Sequence, residues 1–147
     1  MNTHINQLLM EKGGDVITIG PEASVFDAIK MMYAKNIGSL VVVNDNEKLA
    51  GIFVERDCFS KVILEDKSAR ELKVKDVMSK KVVYIAPNAT IDECMAVMTK
   101  KRIRHLPVLD GDKNLVGMIS IGDLVKSVSS EQESMIRDLE KYIEGSL

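Results

Sequence analysis

The stretch GMISIGD, Gly117 to Asp123, decides how this chain is read. A glycine, two apolar residues, a serine and an aspartate three positions further on suit a strand that runs into the start of a helix. A partial copy, GIFVERD from Gly51 to Asp57, lies 66 residues upstream and carries Val54 in the serine's place.

Working outward from that pair, an offset of 66 aligns residues 16–62 with 82–128 without a gap, and 13 of the 47 pairs are identical. They include Pro21/Pro87, Ala23/Ala89, Met32/Met98, Leu40/Leu106, Gly51/Gly117 and Asp57/Asp123, and many other pairs exchange one apolar residue for another. The chain is a tandem duplication. Two copies are too few for a solenoid, so the pair is expected to close on itself, each copy covering what the other cannot bury alone.

Each copy reads β-α-β-β-α. VITI and VVYI are short β-branched strands, followed by a proline that admits a helix. Ser24 and Thr90 are N-cap candidates, and Asp27 and Glu93 three residues later suggest capping boxes. Val25, Ala28, Ile29 and Met32, like Ile91, Cys94, Met95 and Met98, recur at helical spacing and form core stripes. SLVVV and HLPVL are buried strands, NDNEK and DGDKN turns, and LAGIFV and LVGMIS the returning strands. The expected class is α+β (mixed α/β), two repeats packed with pseudo-twofold symmetry plus terminal helices. The expected divisions are an N-terminal helical lead-in (1–14), repeat 1 (15–68), a linker helix (69–81), repeat 2 (82–129) and a C-terminal amphipathic helix (130–147). A lead-in helix precedes each repeat, INQLLMEK for the first and VKDVMSK for the second.

Bulk properties narrow the function. Cys58 and Cys94 have neither CxxC nor zinc spacing and sit among apolar neighbours, so they read as buried free thiols in a reducing compartment. The N-terminus lacks a basic segment followed by a long apolar one, and the aliphatic runs are short, so a cytoplasmic protein that spans no membrane is expected. A formal charge of −2 and 4% aromatics without Trp disfavour a general nucleic-acid binder, although Lys100, Lys101, Arg102, Arg104 and His105 cluster. No metal-ligand spacing, Walker loop, GxGxxG or catalytic triad is evident, so neither a metal nor enzymatic turnover is expected.

Asp123 is poorly suited to a phosphate but suits the two hydroxyls of a ribose, and Ser120 could donate a hydrogen bond to a phosphate. The same spacing equally suits an ordinary helix cap. Arg104 and His105, ahead of and at the start of HLPVL, could neutralise phosphates; Gly38 and Ser39 replace them in the first copy, so two equivalent clefts are not expected.

VMSKKVVYIAPNATIDECMAVMTKKRIRHLPVLDGDKNLVGMISIGDLVKSV resembles a cystathionine β-synthase (CBS) domain, and residues 16–62 resemble a second, so the chain looks like a CBS pair, or Bateman module. The resemblance implies adenine-nucleotide binding (AMP, ADP, ATP, in some members NAD or S-adenosylmethionine) between the repeats, with no obligatory cofactor. Carried onto this sequence, one site would use Ser120 and Asp123, with Val16, Ile17, Gly38 and Ser39 lining the base and Arg104 and His105 at the phosphates. The other would use Arg56 and Asp57, with Val82, Val83, Ile103 and His105 opposite. Val54 cannot donate to a phosphate, so the Ser120/Asp123 site is expected to be the stronger unless the other relies on Arg56. The family further implies a homodimer, with Phe26, Met31, Phe59 and the C-terminal helix as candidate surfaces, and a regulated protein partner. A ligand-independent protein or nucleic-acid interaction module is the alternative.

Overall fold

A computed structural model describes residues 3–13 and 15–127 together with Arg137 and Lys141; the expected C-terminal helix otherwise lies outside the described residues. In repeat 1, β1 (Thr18–Ile19) pairs in parallel with β2 (Ser39–Val43), and β2 pairs antiparallel with β3 (Leu49–Val54). Helix α1 (Ile5–Lys12) precedes them, α2 (Val25–Lys35) joins β1 to β2, and α3 (Glu55–Cys58) follows β3 and continues as a π-helical turn over Phe59–Leu64. After α4 (Val74–Val77), repeat 2 supplies α5 (Ile91–Lys101), β4 (His105–Leu109), β5 (Leu115–Ser120) and α6 (Ile121–Ser127). β4 and β5 are antiparallel, and His105 faces Ser120 as Ser39 faces Val54.

The duplication is reproduced in detail. Ser24 Oγ accepts the Asp27 N–H and Thr90 Oγ1 the Glu93 N–H, at 3.0 and 3.1 Å, so both N-caps form as the sequence suggests. Asn44 Oδ1 and Asp110 Oδ1 each accept two backbone N–H groups and shape equivalent turns. Those turns meet: Lys48 bridges Asn114, its own image at the 66-residue offset, with Nζ 2.6 Å from Asn114 Oδ1. A residue that touches its own repeat image marks the pseudo-twofold axis.

Both strands that open the repeats are shorter than the sequence suggests. VITI contributes only Thr18 and Ile19, and VVYI contributes a single parallel bridge, Ile85 to Val108. The linker helix is also brief. α4 makes one turn, after which Ser79 exchanges both backbone hydrogen bonds with Ile52 at 2.8 and 3.0 Å, converting the expected helix into an added edge pairing on β3.

The lead-in segments are exchanged between the repeats. α1 does not cover the repeat that follows it; Ile5 N–H donates to Ala89 O, Ile91 N–H donates to Thr3 O, and Ile5, Leu8 and Leu9 enter the core formed by Ile91, Cys94, Met98, Leu106, Ile119 and Leu124. α4 closes repeat 1 in the same manner, through Val25 N–H to Leu72 O and Val74 N–H to Ala23 O, with Val74 and Val77 against Val25, Leu40 and Phe53. Lys73 and Lys75 secure it on the surface, both reaching Glu22. Burial of these side chains, each contributing about 1.5–3 kcal/mol, makes the two halves one interlocked body.

Candidate functional site

The site grows from the end of β5. Ser120 closes the strand and caps α6: its N–H donates to Asp123 Oδ2 at 2.8 Å, and its Oγ accepts the Asp123 N–H at 3.2 Å. This is a reciprocal capping box, the ordinary structural role that the spacing allows. The role leaves chemistry unused. Ser120 Oγ accepts the Asp123 N–H while its O–H faces the Asp123 carboxylate and can be drawn to a ligand instead, and among the described residues the Lys12 ammonium and the Ser120 N–H both fall on Oδ2.

Arg104 and His105 are brought to the same place. Ile121 N–H donates to Arg104 O at 2.9 Å, fixing the residue before β4 against the first turn of α6, and His105 pairs with Ser120 across the sheet. The His105 ring is half-buried, and burial pushes its pKa below the ordinary 6.5; nearby Lys12 and Arg104 add to this while Asp123 opposes it.

The sequence reading missed Lys12. At the last turn of α1, its ammonium donates to Asp123 Oδ2 at 2.6 Å and to the Met118 carbonyl at 2.8 Å. Burial alone would raise the Asp123 carboxyl, but Lys12, the Ser120 N–H and the Ser120 hydroxyl outweigh it and hold the group below its usual 3.8. No motif spacing joins residues 12 and 123. The only signal was that the apolar face of INQLLMEK needed a surface.

Repeat 1 builds the same frame with different chemistry. Glu55 N–H donates to Gly38 O, the counterpart of the Ile121–Arg104 bond, and the Asp57 carboxylate takes the Val54 N–H. Val54 returns no hydroxyl. Ser79, rather than a lysine ammonium, pairs with Ile52, the counterpart of Met118. Among the described residues Asp57 Oδ2 is therefore buried without a hydrogen-bond partner, and burial raises the carboxyl above 3.8 against the pull of Val54, Arg56 and Lys61. The side chain of Glu55 fills the space beside Gly38, where Arg104 stands in repeat 2. Around Asp123 the charges are Lys12, Arg104 and one carboxylate; around Asp57 they are Arg56, Lys61 and two carboxylates, Asp57 itself and Glu55.

The remaining expected residues divide. Gly38 and Ser39 stand with Val54, Glu55 and Asp57 in their own repeat, and Arg104 and His105 stand with Ser120 and Asp123. Val16 is half-buried and Ile17 is 37% exposed, whereas Val83 and Ile103 pack against the core of repeat 2. Val82 lines a cleft of about 430 Å³ between the repeats, with Lys48, Leu49, Ala50, Lys80, Tyr84 and Lys113.

The model of the CBS domain matches residues 5–64 and 74–130. The chain belongs to the CBS domain family. The CBS domain-containing protein CBSX3, mitochondrial, of Arabidopsis thaliana is 38% identical over 152 residues, spanning 98% of this chain and 73% of the relative. A solved structure of a protein with CBS domains from Burkholderia ambifaria shares 47% identity over 88% of this chain and 96% of its own, with a TM-score of 0.80. More distant CBS-pair folds include CBSX2 in complex with AMP (22% identity, 77% and 87% covered, TM-score 0.68) and MJ0100 with 5′-methylthioadenosine and S-adenosylmethionine (23%, 86% and 95%, TM-score 0.74). At those identities the likeness is one of fold. Among the described residues of this CBS pair, no helix is long and apolar enough to cross a membrane.

Proposed function

We propose that this CBS pair is a regulatory, non-catalytic module that senses an adenosine-containing ligand, AMP, ADP, ATP or NAD, and biases a partner protein when loaded. The observation that carries the reading is the pair of equivalent carboxylates, Asp57 and Asp123, at the same place in both repeats, the first with an oxygen buried and unpartnered among the described residues. A ribose diol supplies the donors that such carboxylates lack. Beside Asp123 stand the Ser120 hydroxyl, the Arg104 guanidinium and the His105 ring, whereas Asp57 has Arg56 and Lys61 but a second carboxylate, Glu55, and no hydroxyl at Val54, which favours the Asp123 site for a phosphorylated ligand. The AMP, methylthioadenosine and S-adenosylmethionine held by distant neighbours share adenosine, in keeping with recognition through the sugar and base.

The interaction-module alternative rests on the basic run. Lys100 and Lys101 lie in the last turn of α5 and Arg102 is its C-cap, so that positive charge already complements a helix C-terminus. The decisive experiment is thermal unfolding with AMP, ADP, ATP or NAD. A ligand at about 100 times its Kd adds roughly 2.7 kcal/mol to the native state; a shift from one of them that Asp123→Ala removes supports the sensor, and no shift from any overturns it.

A homodimer is the assembly we favour, on one observation. Tyr33, Phe59, Ile63 and Leu64 are 58–89% exposed, and all but Leu64 line a groove of about 750 Å³ between α2 and the π-helical turn. Of the other described candidates, Phe26 is covered by the Arg70 guanidinium at 3.8 Å and Met31 packs on the core, which leaves Phe59 as the open one among them.

A further inference from the structure

We propose that Lys12 is a specificity-determining residue of the second site: a ribose takes its place on Asp123, and the released ammonium makes the site select phosphorylated over neutral nucleosides. This rests on the reading of Asp123 as a ribose acceptor. A carboxylate oxygen has about two acceptor positions, and Oδ2 of Asp123 is filled by the Ser120 N–H and the Lys12 ammonium. A diol that engages both carboxylate oxygens needs one of these donors to leave. The Ser120 N–H is fixed where β5 becomes α6, whereas the Lys12 side chain is 38% exposed and ends a flexible stem that can swing into water.

The exchange has a different balance for different ligands. A neutral nucleoside breaks the ion pair and gives the ammonium nothing in return. A nucleotide brings an anion within reach of the same ammonium, together with Arg104. Repeat 1 has no counterpart to this device, because Ser79 meets Ile52 where Lys12 meets Met118.

The test is calorimetric titration of the full chain with adenosine and with AMP, in wild type, Lys12→Met and Lys12→Arg. Methionine keeps the apolar stem, and the position is at the exposed end of α1, so the fold is retained. In Lys12→Met we expect adenosine to bind about five-fold tighter, the scale of one partly exposed ion pair, and the AMP preference to shrink by at least that factor. Lys12→Arg should restore the preference. An AMP-to-adenosine ratio identical in wild type and Lys12→Met, with binding still lost in Asp123→Ala, would overturn the proposal and leave the sensor reading intact. Absence of binding by adenosine, AMP, ADP, ATP and NAD to all three proteins would overturn both.

Discussion

Leu9 lies over Gly117 so closely that a Cβ there would come within 2.5 Å of its Cδ2. The glycine of the GMISIGD stretch thus serves the exchanged helix α1. Gly51 does the same for the other crossing, where a Cβ would meet Met78 Sδ and the Ser79 carbonyl, both at 2.7 Å.

The two positions therefore differ in what must move. Leu9 offers the end of a flexible side chain, but Ser79 O is backbone held in a paired bridge to Ile52. We expect Gly117→Ala to cost about 1 kcal/mol and Gly51→Ala about 3 kcal/mol. Urea unfolding of the two variants checks the order.

Val54 leaves the first capping box half-made. Threonine keeps the β-branched shape that β3 favours and supplies a hydroxyl to accept the Asp57 N–H, as Ser120 does for Asp123. Val54→Thr should raise stability by about 0.5–1 kcal/mol, a gain of roughly 1–4 °C in Tm readable by calorimetry.

His105 sets a pH dependence. Its native pKa lies below 6.5, so on acidification the unfolded chain takes up the proton first, and stability falls as pH drops from about 6.5 through the lower native value. His105→Gln should flatten that slope. Tm measured at intervals from pH 7.5 to 5.5 in both proteins would show it.

The exposed groove bears on assembly. Phe59→Glu places a charge on the apolar face that we assign to the dimer, and light scattering should then find a monomer near 16 kDa where wild type gives twice that mass.

Much of this was legible in the sequence because local rules repeat. The 66-residue offset gave the two halves, the N-caps Ser24 and Thr90, the turns, and the strand pairs that set His105 beside Ser120. The exchange of lead-in segments was not legible. Ile5, Leu8 and Leu9 declare an apolar face, but helical periodicity does not say which of two similar repeats it covers. Lys12 was hidden for the same reason, being joined to Asp123 only through that docking. The shortness of α4 follows from Ser79 pairing with Ile52, a tertiary hydrogen bond that overrides helix continuation.

On the function proposed above, Asp123 receives the sugar of an adenosine-containing ligand. Calorimetric titration of AMP into nucleotide-free wild type and into Asp123→Ala isolates that contact. We expect binding to wild type and a loss of about 1–3 kcal/mol, roughly 5- to 150-fold in Kd, in the variant. Equal affinity in the two proteins would contradict it.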